Sequence, residues 1–172
     1  MTIAALIRFG RFSRFRRFRR VDVWLRDPAV RRRFGLGLAR FTLAAMLVAT
    51  LYPFHFDLET ASLARIDWRL YYPGHNDRDL VLNLLMLAPL GTGFMLVRFG
   101  RARLSRILLQ AGALGFGLAL IVETLQIFEP TRYPQAADVW RNGVGCLTGA
   151  IVTALVLKLI KAPGPSAAGP RG

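Results

Sequence analysis

Seven side chains have types and spacings that can do chemistry: Glu123, Gln126, Arg132, Asp138, Asn142, Asp79 and Asn83. Glu123 and Gln126 stand three residues apart inside the apolar run Leu120 to Phe128, LIVETLQIF, so a helix puts them on nearly one face. Asp79 with Asn83 and Asp138 with Asn142 repeat one another, an acid followed four residues later by an amide, each near the start of an apolar run. A carboxylate in apolar surroundings needs a cation, a proton or a ligand. It can then move protons or hold a donor group, and a neighbouring arginine can hold phosphate. Arg132 is the nearest cationic candidate in sequence. The expectation is that it pairs with Glu123 or holds an anionic group, with Asp138 orienting it. For Asp79 and Asp138 there is also a local reading, because an aspartate at a helix start caps free N–H groups and meets the positive end of the dipole. That reading does not reach Glu123, which lies near a helix C-terminus.

Other chemistry is thinly represented. No glycine-rich phosphate loop precedes a lysine, and there is no CxxC, HExxH or GxSxG. HNDRD brings His75, Asp77 and Asp79 together, but a solvated turn explains it better than a metal site. Cys146 is the single cysteine and sits in an apolar run, where a packing role is expected. Neither metal nor cofactor is expected.

The elements that must position these residues follow from hydropathy. The chain is 172 residues long, 53% hydrophobic with mean hydropathy +0.36, yet its formal net charge is +14. Apolar runs at roughly 35–53, 80–98, 107–128 and 142–160 each approach the ~20 residues that cross a bilayer as a helix. A soluble basic protein would not spend its length this way, which sets nucleic-acid binding aside. Charge is distributed in alternation. Residues 1–34 carry eleven arginines and two acids, the link between runs two and three carries Arg98, Arg101, Arg103 and Arg106, and the tail carries Lys158, Lys161 and Arg171. Loops 54–79 and 129–141 are balanced or acidic. Four crossings with both termini cytoplasmic fit this pattern. The expected fold class is therefore all-α, a polytopic four-helix membrane bundle. A basic arm 1–34 precedes a membrane domain 35–161, and a disordered tail 162–172 follows.

The arm RFGRFSRFRRFRR spaces Phe9, Phe12, Phe15 and Phe18 three apart among arginines, a spacing that smears around a helix rather than forming one face. It is read as a polybasic-aromatic segment on anionic lipid headgroups. Trp68, Tyr71, Tyr72, Tyr133 and Trp140 fall at the other side of the membrane, as interfacial residues or as stacking surfaces for a ligand. Gly145 and Gly149 form a GxxxG face, expected to pack a helix within the bundle.

RDLVLNLLMLAPLGTGF (78–94) and ETLQIFEPTRYPQAADVWRNGVGCLTGA (123–150), set in this layout, resemble the VanZ-like family of small bacterial membrane proteins over about residues 45–160. The pieces are Asn83 with Pro89-Leu90-Gly91, Glu123 with Gln126, Arg132, Asp138, and Asn142 with Gly145. The resemblance implies a multi-pass protein of the bacterial cytoplasmic membrane. It also implies a cell-envelope setting linked to teicoplanin-type glycopeptide susceptibility. Three functions follow. One is binding of a cell-wall precursor or other amphiphile at an outward-facing polar site, preferred because the polar set lacks an obvious nucleophile. Another is an enzyme on a lipid-linked phosphate, using Glu123, Asp138 and Arg132. In the third, the polar set is a clamp between helices and the basic arm binds partners.

Overall fold

A computed structural model describes residues 25–59, 61–70 and 77–161, with side chains from 80 to 160 in the last segment. The Phe-Arg arm up to residue 24, the tail from 162 and the side chain of Asp79 lie outside it. Four helices carry the fold: α1 (Pro28–Leu51), α2 (Asp77–Arg98), α3 (Leu104–Gln126) and α4 (Ala136–Lys161). All four are long and apolar enough to cross a membrane, and the described residues form no strand. The chain is thus all-α and built as a multi-pass membrane protein.

α1 begins ahead of its apolar run. Asp27 accepts from the backbone N–H of Ala29 at 2.8 Å, and Pro28, with no N–H to lose, takes the first helical position. The helix therefore includes Arg31, Arg32 and Arg33, which the sequence reading assigns to the basic arm. Arg31 is buried rather than spread on a surface.

α2 and α4 form the central pair and run parallel; α1 packs on α2, and α3 on α4, both antiparallel. The central pair touches along its backbones. A Cβ at Gly145 would stand 2.1 Å from the Leu84 carbonyl oxygen, and one at Gly149 would stand 2.0 Å from that of Ala88. The GxxxG face thus packs on α2 inside the bundle, as expected, because only hydrogen at those positions lets the helices approach so closely. Thr92 and Thr153 add side-chain hydrogen bonds at the same seam, Thr153 donating to Thr92 at 3.1 Å.

Two apolar clusters flank that seam. Met46, Leu51, Leu87, Leu90, Val122 and Cys146 fill one half, and Met95, Ile107, Ala111, Ala150 and Ala154 the other. Cys146 is buried with its thiol on the Ala111 carbonyl at 3.3 Å, a packing position. Large apolar side chains such as Phe41, Leu109, Leu120 and Leu159 point outward, as expected where lipid rather than water surrounds the bundle.

The start of α1 and the end of α4 meet at one end of the bundle, where Arg26 donates to the Ile160 carbonyl at 2.9 Å. The other end carries the two long connections. There a segment around the short 3₁₀ turn Leu63–Arg65 lies across residues 127–135. Asp57 donates from its backbone to Phe128, Asp67 to Pro134, and Ala136 back to Asp67, at 2.7, 2.9 and 2.9 Å. This loop-bearing end holds the polar residues.

Replacing Gly149 by Val drives a branched side chain into the backbone of α2, which cannot swing aside as a side chain would. Overpacking of this kind costs about 1–3 kcal/mol. A clear drop in melting temperature of the detergent-purified protein is expected, whereas the lipid-facing Leu159→Val leaves it near wild type.

Candidate functional site

Glu123 lies in the last turn of α3 and is almost fully buried. A carboxylate at a helix C-terminus opposes the local dipole. The fold resolves this by bringing the start of α4 against it. Glu123 Oε2 accepts the backbone N–H of Gln135 at 2.7 Å, immediately ahead of Ala136, so the anion sits on the positive end of the next helix.

The expected Glu123–Arg132 pair is not formed. The Arg132 guanidinium donates to the carbonyls of Ala49 and Tyr52, at 3.2 and 2.9 Å, where α1 ends. Gln126 joins it, donating to Thr50 at 3.1 Å. The reason is that the last carbonyls of a helix have no partner within it. An arginine offers them charge-assisted donors and matches the dipole's negative end. Asp138 does not orient Arg132 either. It lies in the first turn of α4, accepts from the Asn83 amide at 2.7 Å, and pairs with Arg141 at 3.3 Å. Asp138 is also near enough for its charge to act on Glu123.

The candidate residues therefore divide. Asn83 and Asp138 tie α2 to α4, and Arg141 pairs with Asp138 within α4. Gln126 ties the end of α3, and Arg132 the loop after it, to the end of α1. Glu123 joins α3 to α4. Asn142, one turn below Asp138, is buried and its Oδ1 has no hydrogen-bond partner.

Sequence reasoning missed two residues here. Arg65 entered it only as a loop charge. Its guanidinium donates to the carbonyls of Ile127, Glu129, Pro130 and Arg132 at 2.6–3.0 Å, covering the end of α3, and lies over the Tyr133 ring at 6.0 Å. Glu129 entered only as a counted acid. It is fully buried and accepts from the His55 backbone N–H at 2.9 Å, and from the Thr131 hydroxyl and N–H at 2.9 and 3.2 Å. Arg65 and Glu129 together clip the first connection onto the second. No local pattern marks the tie that either residue makes, since Arg65 bonds carbonyls more than sixty residues away and Glu129 reaches the likewise distant His55 backbone besides its neighbour Thr131.

That clip shapes a cavity of about 260 Å³ between the outer turn of α3 and the start of α4. Leu120, Thr124 and Ile127 line it from α3's side, Val139 from α4, and Ile66 and Trp68 from the clipped loop, with Glu123 in its wall. Trp68, placed at the interface by the sequence, is a wall of this cavity and 71% exposed. Among the described residues no group of three or more His, Cys, Asp or Glu is placed to hold a metal. Chemically, the arrangement offers an apolar recess with one carboxylate.

A family model described as VanZ/LLP1 matches residues 7–158. The match begins inside the basic arm, earlier than the motif pieces alone indicate. No curated protein and no solved structure matches the chain.

Glu129 gives this end of the bundle a pH dependence. Burial acts to raise its carboxyl pKa, but the hydrogen bonds from Thr131 and His55 and the charge of His55 outweigh it and hold Glu129 below the usual carboxylate range. A group depressed on folding contributes stability above its unfolded pKa and loses it as pH falls through the folded one. Thermal melts of the wild type should therefore fall on acidification below the ordinary carboxylate range. Glu129→Gln should melt lower at neutral pH and show a shallower acid limb.

Proposed function

The chain belongs to the VanZ/LLP1 family of membrane proteins, and on that premise we propose that it binds an amphiphilic component of the bacterial cell envelope in the cavity beside Glu123. The observation that carries this reading is the cavity's make-up. Its walls are mostly apolar, it is lined in part by the outward-facing Leu120, and it holds a single carboxylate near the loop-bearing end of the bundle. Drug-sized ligands occupy sites of about 300–1,000 Å³. A cavity of about 260 Å³ takes a headgroup and the first part of a chain, the rest of which lies along α3 in lipid.

In this reading the loop-bearing end faces outward from the bacterial cytoplasmic membrane. The opposite end collects Arg26, Arg31, Arg101, Arg103 and Arg106, in keeping with a cytoplasmic side. The basic arm adds attraction to anionic headgroups there. Occupancy of the cavity by a cell-wall precursor or similar amphiphile is the step through which the protein alters susceptibility to teicoplanin-type glycopeptides. An enzyme acting on a lipid-linked phosphate needs Arg132 on that phosphate. Arg132 instead serves the end of α1, so the geometry supports binding over that alternative.

Filling the cavity separates binding from folding. In a host whose teicoplanin tolerance rises on expression of the wild type, Val139→Phe is expected to abolish the rise at equal abundance in the membrane, while the lipid-facing Leu155→Phe retains it. Equal tolerance from wild type and Val139→Phe would count against the cavity as the working site.

A further inference from the structure

The cavity's charge restricts what it can hold. Among its lining residues Glu123 is the one ionisable side chain. Gln135 occupies Oε2, and among the described residues no hydrogen bond reaches Oε1. Among the described residues the arginines at this end of the bundle are engaged elsewhere, Arg69 on Asp67 at 2.9 Å among them. Arg132 lies on the carbonyls of Ala49 and Tyr52, Arg65 on those of Ile127, Glu129, Pro130 and Arg132, and Arg141 on Asp138. The Thr124 hydroxyl spends its proton on the Leu120 carbonyl at 2.7 Å. An anionic headgroup entering here meets the carboxylate of Glu123, the nearby charge of Asp138, and no lining cation. A group with N–H donors and positive charge meets a free carboxylate oxygen in a partly desolvated recess, where such a bond is strong. At the mouth, the exposed Trp68 ring adds a surface that attracts cations.

We propose that the cavity recognises amphiphiles by a protonated primary amine held at Glu123, with the chain along Leu120 and Trp68. The proposal rests on the reading of this cavity as an amphiphile site. A primary ammonium supplies three donors; a quaternary one supplies none to Oε1, and a phosphate supplies only acceptors. Two sources share this chemistry, a membrane lipid with an ethanolamine headgroup and a free single-chain amine.

The test uses the full chain purified in a neutral maltoside detergent, with dodecylamine, dodecyltrimethylammonium and dodecyl phosphate as probes. A ligand that binds only the folded state raises the melting temperature. Dodecylamine is expected to do so at concentrations about tenfold or more below those of dodecyl phosphate, the factor that 1.4 kcal/mol of preference produces. Glu123→Gln keeps an acceptor for the Gln135 N–H and should remove the preference. If that variant does not fold, Val139→Phe, which blocks the cavity without touching the carboxylate, should lose the response to dodecylamine. Nanodiscs separate the sources. A higher melting temperature in phosphatidylethanolamine than in phosphatidylcholine identifies the lipid. Equal melting in the two, with the dodecylamine response intact, identifies the free amine. Dodecyl phosphate acting as well as dodecylamine, both abolished by Val139→Phe, overturns the amine assignment and leaves the cavity as an amphiphile site. Absence of a saturable response to any probe overturns both.

Discussion

A helix in apolar surroundings leaves its last carbonyl groups without partners, and lipid offers no water to satisfy them. This bundle meets that constraint with arginine. Arg132 covers the end of α1, Arg31 the end of α2, Arg65 the end of α3 and Arg26 the end of α4. Each arginine comes from another part of the chain, so each cap is also a tertiary tie. Arg31 illustrates this. It is buried, it bonds the carbonyls of Leu96 and Phe99 at 3.1 Å each, and its guanidinium stands over the Phe99 ring at 5.6 Å. A buried carbonyl left unpaired costs about 1–3 kcal/mol, so these ties hold helix ends in place where the close-packed seam of α2 and α4 cannot reach.

The same constraint determines the electrostatics of the candidate site. Among the described residues of the loop-bearing end, Arg65 and Arg132 go to carbonyls and Arg69 and Arg141 to aspartates, so none reaches Glu123. The acid is instead met by the backbone N–H of Gln135 at the start of α4. Donors thus go to helix C-termini and the carboxylate to an N-terminus, which is how the backbone dipoles favour it. What is left is an acidic, otherwise apolar recess, closed on one side by a loop that Arg65 and Glu129 clip in place. Fold stability and the proposed ligand preference at this end therefore have one origin.

Much of the architecture was legible in the sequence. Four apolar runs, each close to the length of a bilayer crossing, become four helices, and Gly145 and Gly149 mark the closest helix contact. The polar set was legible as residues but not as pairs. Asn83 and Asp138 do meet, because equal depth on two parallel helices is set by topology. Arg132 and Glu123, near in sequence, do not meet, because the end of α1 is a stronger claimant for the guanidinium. Which carbonyls lie beside a loop arginine is decided by tertiary packing, and no periodicity reports it. Arg65 and Glu129 escaped notice for that reason, and Arg26 and Arg31 were absorbed into a basic arm whose average charge concealed two caps.

The double-mutant cycle of Glu123→Gln and Arg132→Gln, read as thermal or denaturant stability in detergent, tests the central claim most directly. If Arg132 serves the end of α1 and Glu123 serves the start of α4, the two losses add to within about 0.5 kcal/mol, as for residues that share no partner. A coupling of about 1 kcal/mol or more, with either single change destabilising as much as both together, means that the two charges are paired. In that case the cavity is not the uncompensated acidic site described above.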